Sequence, residues 1–235
     1  MQSTSSTYQT LLRDRRARRE VKVVIAGTTY DETKLSDLRI TGAIFQSDTP
    51  SIGGVIAKEI NLTIRNPGTI PRMAEMLPYV RLTNGTTTSE WIPKGVFYIN
   101  TRSRGETQTS IDIQGYDGIL KTAQVFTTSG DQSLWPMDDI DVVDEIATRI
   151  GVTVDSRTRS ILTQGYQVPY PGYGTNAYTM REVLGYIGAM YAGNWIMNET
   201  GQLRLVVLGD LPAETSYLVE DAGSPILIGG DRILV

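Results

Sequence analysis

Through the first half of the chain, short runs alternate apolar and polar positions, the period-2 signature of half-buried strands. Ile60, Leu62 and Ile64 face one way and Asn61, Thr63 and Arg65 the other, so Ile56 to Arg65 reads as a strand with one wet face. Asn66, Pro67 and Gly68 stop it, because proline cannot donate to a ladder and glycine lets the backbone turn. Val21 to Ala26 and Leu38 to Phe45 are β-rich runs of the same kind, separated by Gly27 and a polar stretch. Val80 to Thr83 leads into Asn84-Gly85, a pair that accepts the positive φ angles of tight hairpin turns, which places a return strand near Ser89 to Ile92. Val96 to Thr101 and Thr109 to Gln114 form a second pair joined by the charged loop Arg102 to Thr107. With no long helical crossover between strands, this spacing predicts an antiparallel barrel or sandwich.

The period changes after Asp117. Gly118 to Thr122 predicts a short helix, and the Ser/Thr/Gly stretch 127 to 131 is the expected boundary. Asp138, with Asp141 three positions on, predicts a capped helix carrying Ile140, Val143, Ile146, Ala147 and Ile150 at helical spacing up to Gly151. Thr179 and Glu182 form a capping box for a second helix with Val183, Leu184, Ile187 and Met190 on one face and Gly193 as its stop. Asn194 to Met197, the turn Asn198 to Gly201, and Gln202 to Leu208 then read as strand, turn and strand. Between the helices, Pro169 and Pro171 forbid helix while Tyr166, Tyr170, Tyr173 and Tyr178 predict packing, either on the same domain or at an interface. The expected organisation is a polar and basic arm over 1–20, helical between Tyr8 and Arg19; an antiparallel β-barrel over 21–126; an α/β domain over 127–215; and the start of a further β segment over 216–235, cut short in mid-strand. The fold class is β-rich α+β, a barrel with an insertion of helices plus a β-hairpin.

Composition then narrows the chemistry. The 235 residues include no cysteine and no histidine, which removes disulfides, thiolate nucleophiles, the commonest general base and the commonest metal ligands. A net charge of −4 gives no overall field toward nucleic acid, and no apolar run is long enough to span a membrane as a helix. Arg13, Arg15, Arg16, Arg18 and Arg19 form the dense basic block, read either as a solvated arm or helix face or as a contact for phosphate or an acidic partner surface. The acids Asp138, Asp139, Asp141, Asp144 and Glu145 fail the calcium-loop pattern, because apolar residues at helical spacing interrupt them. Gly172-x-Gly174 lacks the third glycine and the preceding strand of a dinucleotide loop. Trp91, Trp135 and Trp195 read as packing anchors before sugar platforms. No catalytic, cofactor-binding or metal residue is expected. The arginines of the block with Tyr166, Tyr170 and Tyr173 are the expected partner contacts.

Several runs carry a family resemblance. Trp91-Ile-Pro-Lys-Gly-Val-Phe-Tyr-Ile, Ser110-Ile-Asp-Ile-Gln-Gly-Tyr-Asp-Gly-Ile-Leu-Lys, Arg181-Glu-Val-Leu-Gly-Tyr-Ile, Gly193-Asn-Trp-Ile-Met and Gly201-Gln-Leu-Arg-Leu resemble bacteriophage and prophage tail hub proteins over most of residues 50–235. These are packing and turn motifs, so they mark a scaffold. The resemblance implies a non-enzymatic virion component: a homotrimer whose barrels form a pseudo-sixfold ring that closes the tail tube. Its implied partners are further copies of itself, distal tail and tail-tube proteins and the tape-measure protein, with no sequence-specific binding of nucleic acid. It also implies assembly in the bacterial host cytoplasm and residence in the tail. The other readings are a tail-associated carbohydrate-binding module and a carboxylate-based cell-wall hydrolase.

Overall fold

In the computed structural model, which describes residues 4–45, 49–65, 67–107, 109–126, 129–172, 177–209, 227–228 and 231–232, the alternating runs of the first half form one antiparallel sheet. Its strands are β1 (Arg18–Ile25), β2 (Thr28–Asp31), β3 (Leu35–Thr41), β4 (Glu59–Arg65), β5 (Glu75–Thr83), β6 (Ile92–Pro93), β7 (Phe97–Arg104) and β8 (Ser110–Asp117). The ladder runs β2-β1-β5-β7-β8-β4-β3, with β6 on β5. Ile60, Leu62 and Ile64 all point into the core as their alternation requires, and each contributes about 1.5–3 kcal/mol by leaving water. They share one buried cluster with Val23 and Ile25 from the other end of the ladder, so the sheet curls round its own core. Among the described residues no pairing joins β3 back to β2, so these strands do not close into the expected barrel.

Several boundaries differ from the sequence reading. The hairpin turn Ala26-Gly27, with φ of 48° and 82°, returns the chain as β2, a strand the pattern did not reveal. β5 starts at Glu75, five residues early, and runs through Pro78, which pairs opposite Val23. The return strand after Asn84-Gly85 is only Ile92–Pro93, with Thr83 and Thr88 forming a bridge nearer the turn. Arg102, Ser103 and Arg104 are strand residues facing Ile113, Asp112 and Ile111, so the connection to β8 is shorter than the charged loop expected there.

The second half packs around a separate cluster. A 3-10 turn (Gly118–Ala123) leads, through a second one (Ser129–Leu134), to β9 (Met137–Asp138) and α2 (Asp139–Ile150). α3 (Ser156–Ile161) follows, then β10 (Gln167–Val168), α4 (Met180–Met190) and the hairpin β11 (Gly193–Met197) with β12 (Leu203–Val207). A two-residue ladder, β13 (Leu227–Ile228) with β14 (Asp231–Arg232), is described beyond these; the rest of the expected C-terminal β segment lies outside the described residues. α2 lacks the side-chain cap expected from Asp138, and its end on left-handed Gly151 is as the sequence implies. α4 carries the full Thr179/Glu182 capping box. Its stop differs: Ala192 takes the left-handed turn at φ 51°, and Gly193 opens β11, where a Cβ would sit 2.7 Å from Val206 O. Trp195 is the centre of this core, wholly buried, with Nε1 donating to Leu184 O at 2.6 Å.

A buried amide ties the two halves together. Asn194 Oδ1 accepts from Gly54 N at 2.7 Å, while its Nδ2 donates to Ile44 O at 2.9 Å and Ser51 O at 2.7 Å. The loop between β3 and β4 is thereby laid along β11, and Val55 bridges to Trp195.

Candidate interaction surface

The basic block is pinned at both ends of a short helix, α1 (Ser6–Arg13), which is shorter than the helical stretch expected up to Arg19. Ser5 caps it, and Glu90 in turn accepts from Ser5 N at 2.7 Å and Ser5 Oγ at 2.5 Å. At the far end Asn84 Nδ2 donates to Asp14 Oδ2 at 2.8 Å, and Leu11 is buried. Asn84, then the Arg16 backbone N–H, hold the Asp14 carboxyl below its ordinary range. The arm therefore rides on the β5 hairpin, and Arg18 and Arg19 belong to β1, opposite Thr83 and Leu82.

All five arginines of the block are exposed. Arg16 meets Asp14 at 3.4 Å and Arg18 meets Glu20 at 3.0 Å, exposed pairs of small energetic weight. Among the described residues Arg13 and Arg15 make no ion pair, so their charge faces solvent or a neighbour. Arg19, with Tyr8, Val21, Leu38, Ile40 and Lys94, lines a cavity of about 320 Å³. On the outer face of the sheet, Trp91 lies under Lys22 (4.4 Å from the ring centroid) and Arg81 (4.3 Å), a cation–π contact that keeps the indole half-covered.

The tyrosine segment packs on its own helical unit. Tyr166 sits edge-on to Tyr191 at 5.4 Å, Tyr170 to Trp135 at 6.1 Å and Tyr178 to Tyr186 at 5.5 Å, and β10 pairs with β9. Tyr166 and Tyr178 remain 42% and 43% exposed, leaving part of each ring at the surface. Tyr173 lies outside the described residues. The structure thus does not gather the arginines and tyrosines into one site: they occupy different elements of different cores.

The buried carboxylates hold structure together. Asp117 accepts from Lys58 N at 2.9 Å and Ile119 N at 3.1 Å, and burial still pushes its carboxyl up to about 6. Asp139 accepts from Ile140 N and from the Tyr191 hydroxyl at 2.5 Å; burial, then that hydrogen bond, raise the hydroxyl well above its usual range. Asp155 caps α3, forks with Arg157 and accepts from Asn198 Nδ2 at 2.8 Å. Arg157 foremost drives its carboxyl far below the ordinary range. Sequence reasoning gave Asn194 and Asp155 no role and weighed Asp139 only within the acidic run beside Asp138; only Asp155, followed by Ser156, carried a local sign of its role, that of a helix cap. Among the described residues no cluster of three or more metal-ligating side chains occurs.

No protein-family model matches the chain, and no curated protein matches it. Solved structures do. The 43 kDa tail protein of prophage MuSo2 from Shewanella oneidensis superposes with a TM-score of 0.54 at 12% identity over 85% of this chain. A tail protein from Neisseria meningitidis MC58 superposes with a TM-score of 0.51 at 10% identity over 83% of it. The chain spans 59% and 53% of the lengths of these two proteins. Its fold, an open antiparallel sheet followed by a unit of helices and a hairpin, is similar to theirs.

Proposed function

We propose that the chain is a structural component of a phage or prophage tail, at the baseplate or tail-tip hub. The observation that carries this reading is the fold likeness to two prophage and bacterial tail proteins over more than four-fifths of the chain. In the proposed assembly the curled sheets of a homotrimer stand in a ring that closes the tail tube, and contacts between neighbours complete the barrel at the edge strands β2 and β3. An unpaired edge presents a row of free backbone donors and acceptors, which favours such use. The partners are distal tail, tube and tape-measure proteins, and the protein resides in the virion after assembly in the host cytoplasm. The role is non-enzymatic. It is supported by the buried carboxylates Asp117, Asp139 and Asp155, each engaged by hydrogen bonds that hold elements together.

The test is genetic and compositional. Tail particles purified from the source strain should contain the protein in a fixed ratio to tube protein, and a nonsense codon in its gene should leave tubes without tips. Normal, infectious particles lacking the protein would refute the role.

A further inference from the structure

The hairpin β11–β12 buries one face, through Trp195, Met197, Leu203 and Leu205, and turns the other, with Ile196 opposite Arg204, toward the end of β3. Between them lies an open cleft of about 550 Å³. Among the described residues three cations line it, Lys58, Lys94 and Arg204, against one carboxylate, Glu199. Glu199 does little to neutralise them: it approaches Lys58 Nζ only to 3.8 Å and is itself 41% exposed. Arg204 is half-buried; its Nε is out of reach of solvent and, among the described residues, has no hydrogen-bond partner. Lys58 is 16% exposed, its stem laid against Gly42. The cleft adjoins the cavity that Arg19 lines, with Ile40 and Lys94 bordering both.

A buried donor without an acceptor costs its desolvation. An acceptor brought by a bound partner would recover that cost. The rest of the lining is aliphatic, from Ile40, Ala43, Ile44, Ile196 and Val206, and offers no side-chain hydroxyl. Ile44 is 44% exposed there. An isolated inorganic anion would leave that apolar surface wet, whereas a peptide supplies carboxylate and aliphatic groups together.

We propose that this cleft is a docking site for an acidic peptide segment of a partner protein. One of its carboxylates pairs with the guanidinium of Arg204, a second charge lies near Lys94, and the aliphatic side chains between them cover Ile40, Ile44 and Ile196. The inference rests on the charge and burial of the cleft and not on the tail role.

The probe is a blocked hexapeptide of alternating leucine and glutamate, titrated into the purified chain with its isoleucine methyl groups isotopically labelled and read by NMR. The methyl signals of Ile40, Ile44 and Ile196 should shift on addition of this peptide. They should not shift with the leucine–glutamine counterpart or with inorganic phosphate. Arg204→Met keeps a stem of similar length, so the free variant should melt no lower than the parent while binding the peptide about tenfold or more weakly. Lys94→Met should weaken binding by a smaller factor. Equal binding of the glutamine peptide, equal shifts with phosphate, no shifts at all, or a lower melting temperature for Arg204→Met would each overturn the proposal.

Discussion

Two buried polar residues set the strongest single-site expectations. Asp117 is raised to about 6 by burial, against the Lys58 and Ile119 N–H groups that favour its charged form. The folded state therefore binds a proton between about pH 4 and 6 that the unfolded chain has released, so this residue's contribution is fullest below pH 4 and is lost as pH rises through 6. Relative to Asp117→Asn, the unfolding free energy of the parent should fall by about 1.4 kcal/mol per pH unit across that window, measured by urea denaturation at successive pH values. Parallel slopes for the two proteins would show that the carboxyl is ionised throughout. Asn194 spends its whole amide on the loop between β3 and β4. Asn194→Ala should cost about 2–4 kcal/mol in the same assay, because it orphans two carbonyls and an N–H at once. Neither role was visible in the sequence, since the acceptors of Asn194 lie more than 140 positions away along the chain.

At the scale of elements, α4 shows local and tertiary demands in competition. Glycine inside a helix costs up to about 1 kcal/mol relative to alanine, so Gly185→Ala would stabilise an isolated helix. Here a Cβ at Gly185 would lie 2.9 Å from the Gly53 backbone carbonyl oxygen. The variant should instead lose about 1–3 kcal/mol in thermal unfolding, the overpacking term exceeding the propensity gain. The elements with short-range signals were legible in advance: β4 from its alternation, α4 from its capping box, the β11–β12 hairpin from its turn. The early part of β5 was hidden by Pro78, which reads as a strand breaker yet sits in the ladder opposite Val23. Likewise Arg18, Arg19, Arg102 and Arg104 read as arm or loop, because their strand state comes from pairing with Thr83, Leu82, Ile113 and Ile111 and not from their own propensity.

At the scale of the molecule, Arg13 and Arg15, without an ion pair among the described residues, and Arg16, exposed beyond its weak pair with Asp14, are the arginines of the arm that face outward. Reversal of Arg13, Arg15 and Arg16 to glutamate should leave the melting temperature within a few degrees, since exposed charges carry little stability, and should abolish incorporation into tail particles scored by mass spectrometry. Incorporation at the parental level would remove the arm from the contact surface. The sequence by itself determined the β-rich character, the change of period after Asp117, the capped α4 and the β11–β12 hairpin, because each follows from contacts within a few residues of chain. It also removed cysteine and histidine chemistry outright. Only the tertiary structure decided that the sheet curls round its own core, that the arm folds back on Asn84 and Glu90, and that Lys58, Lys94 and Arg204 line one cleft. Those outcomes depend on groups tens to more than a hundred residues apart, whose meeting is fixed by the packing of the two cores and not by any local pattern.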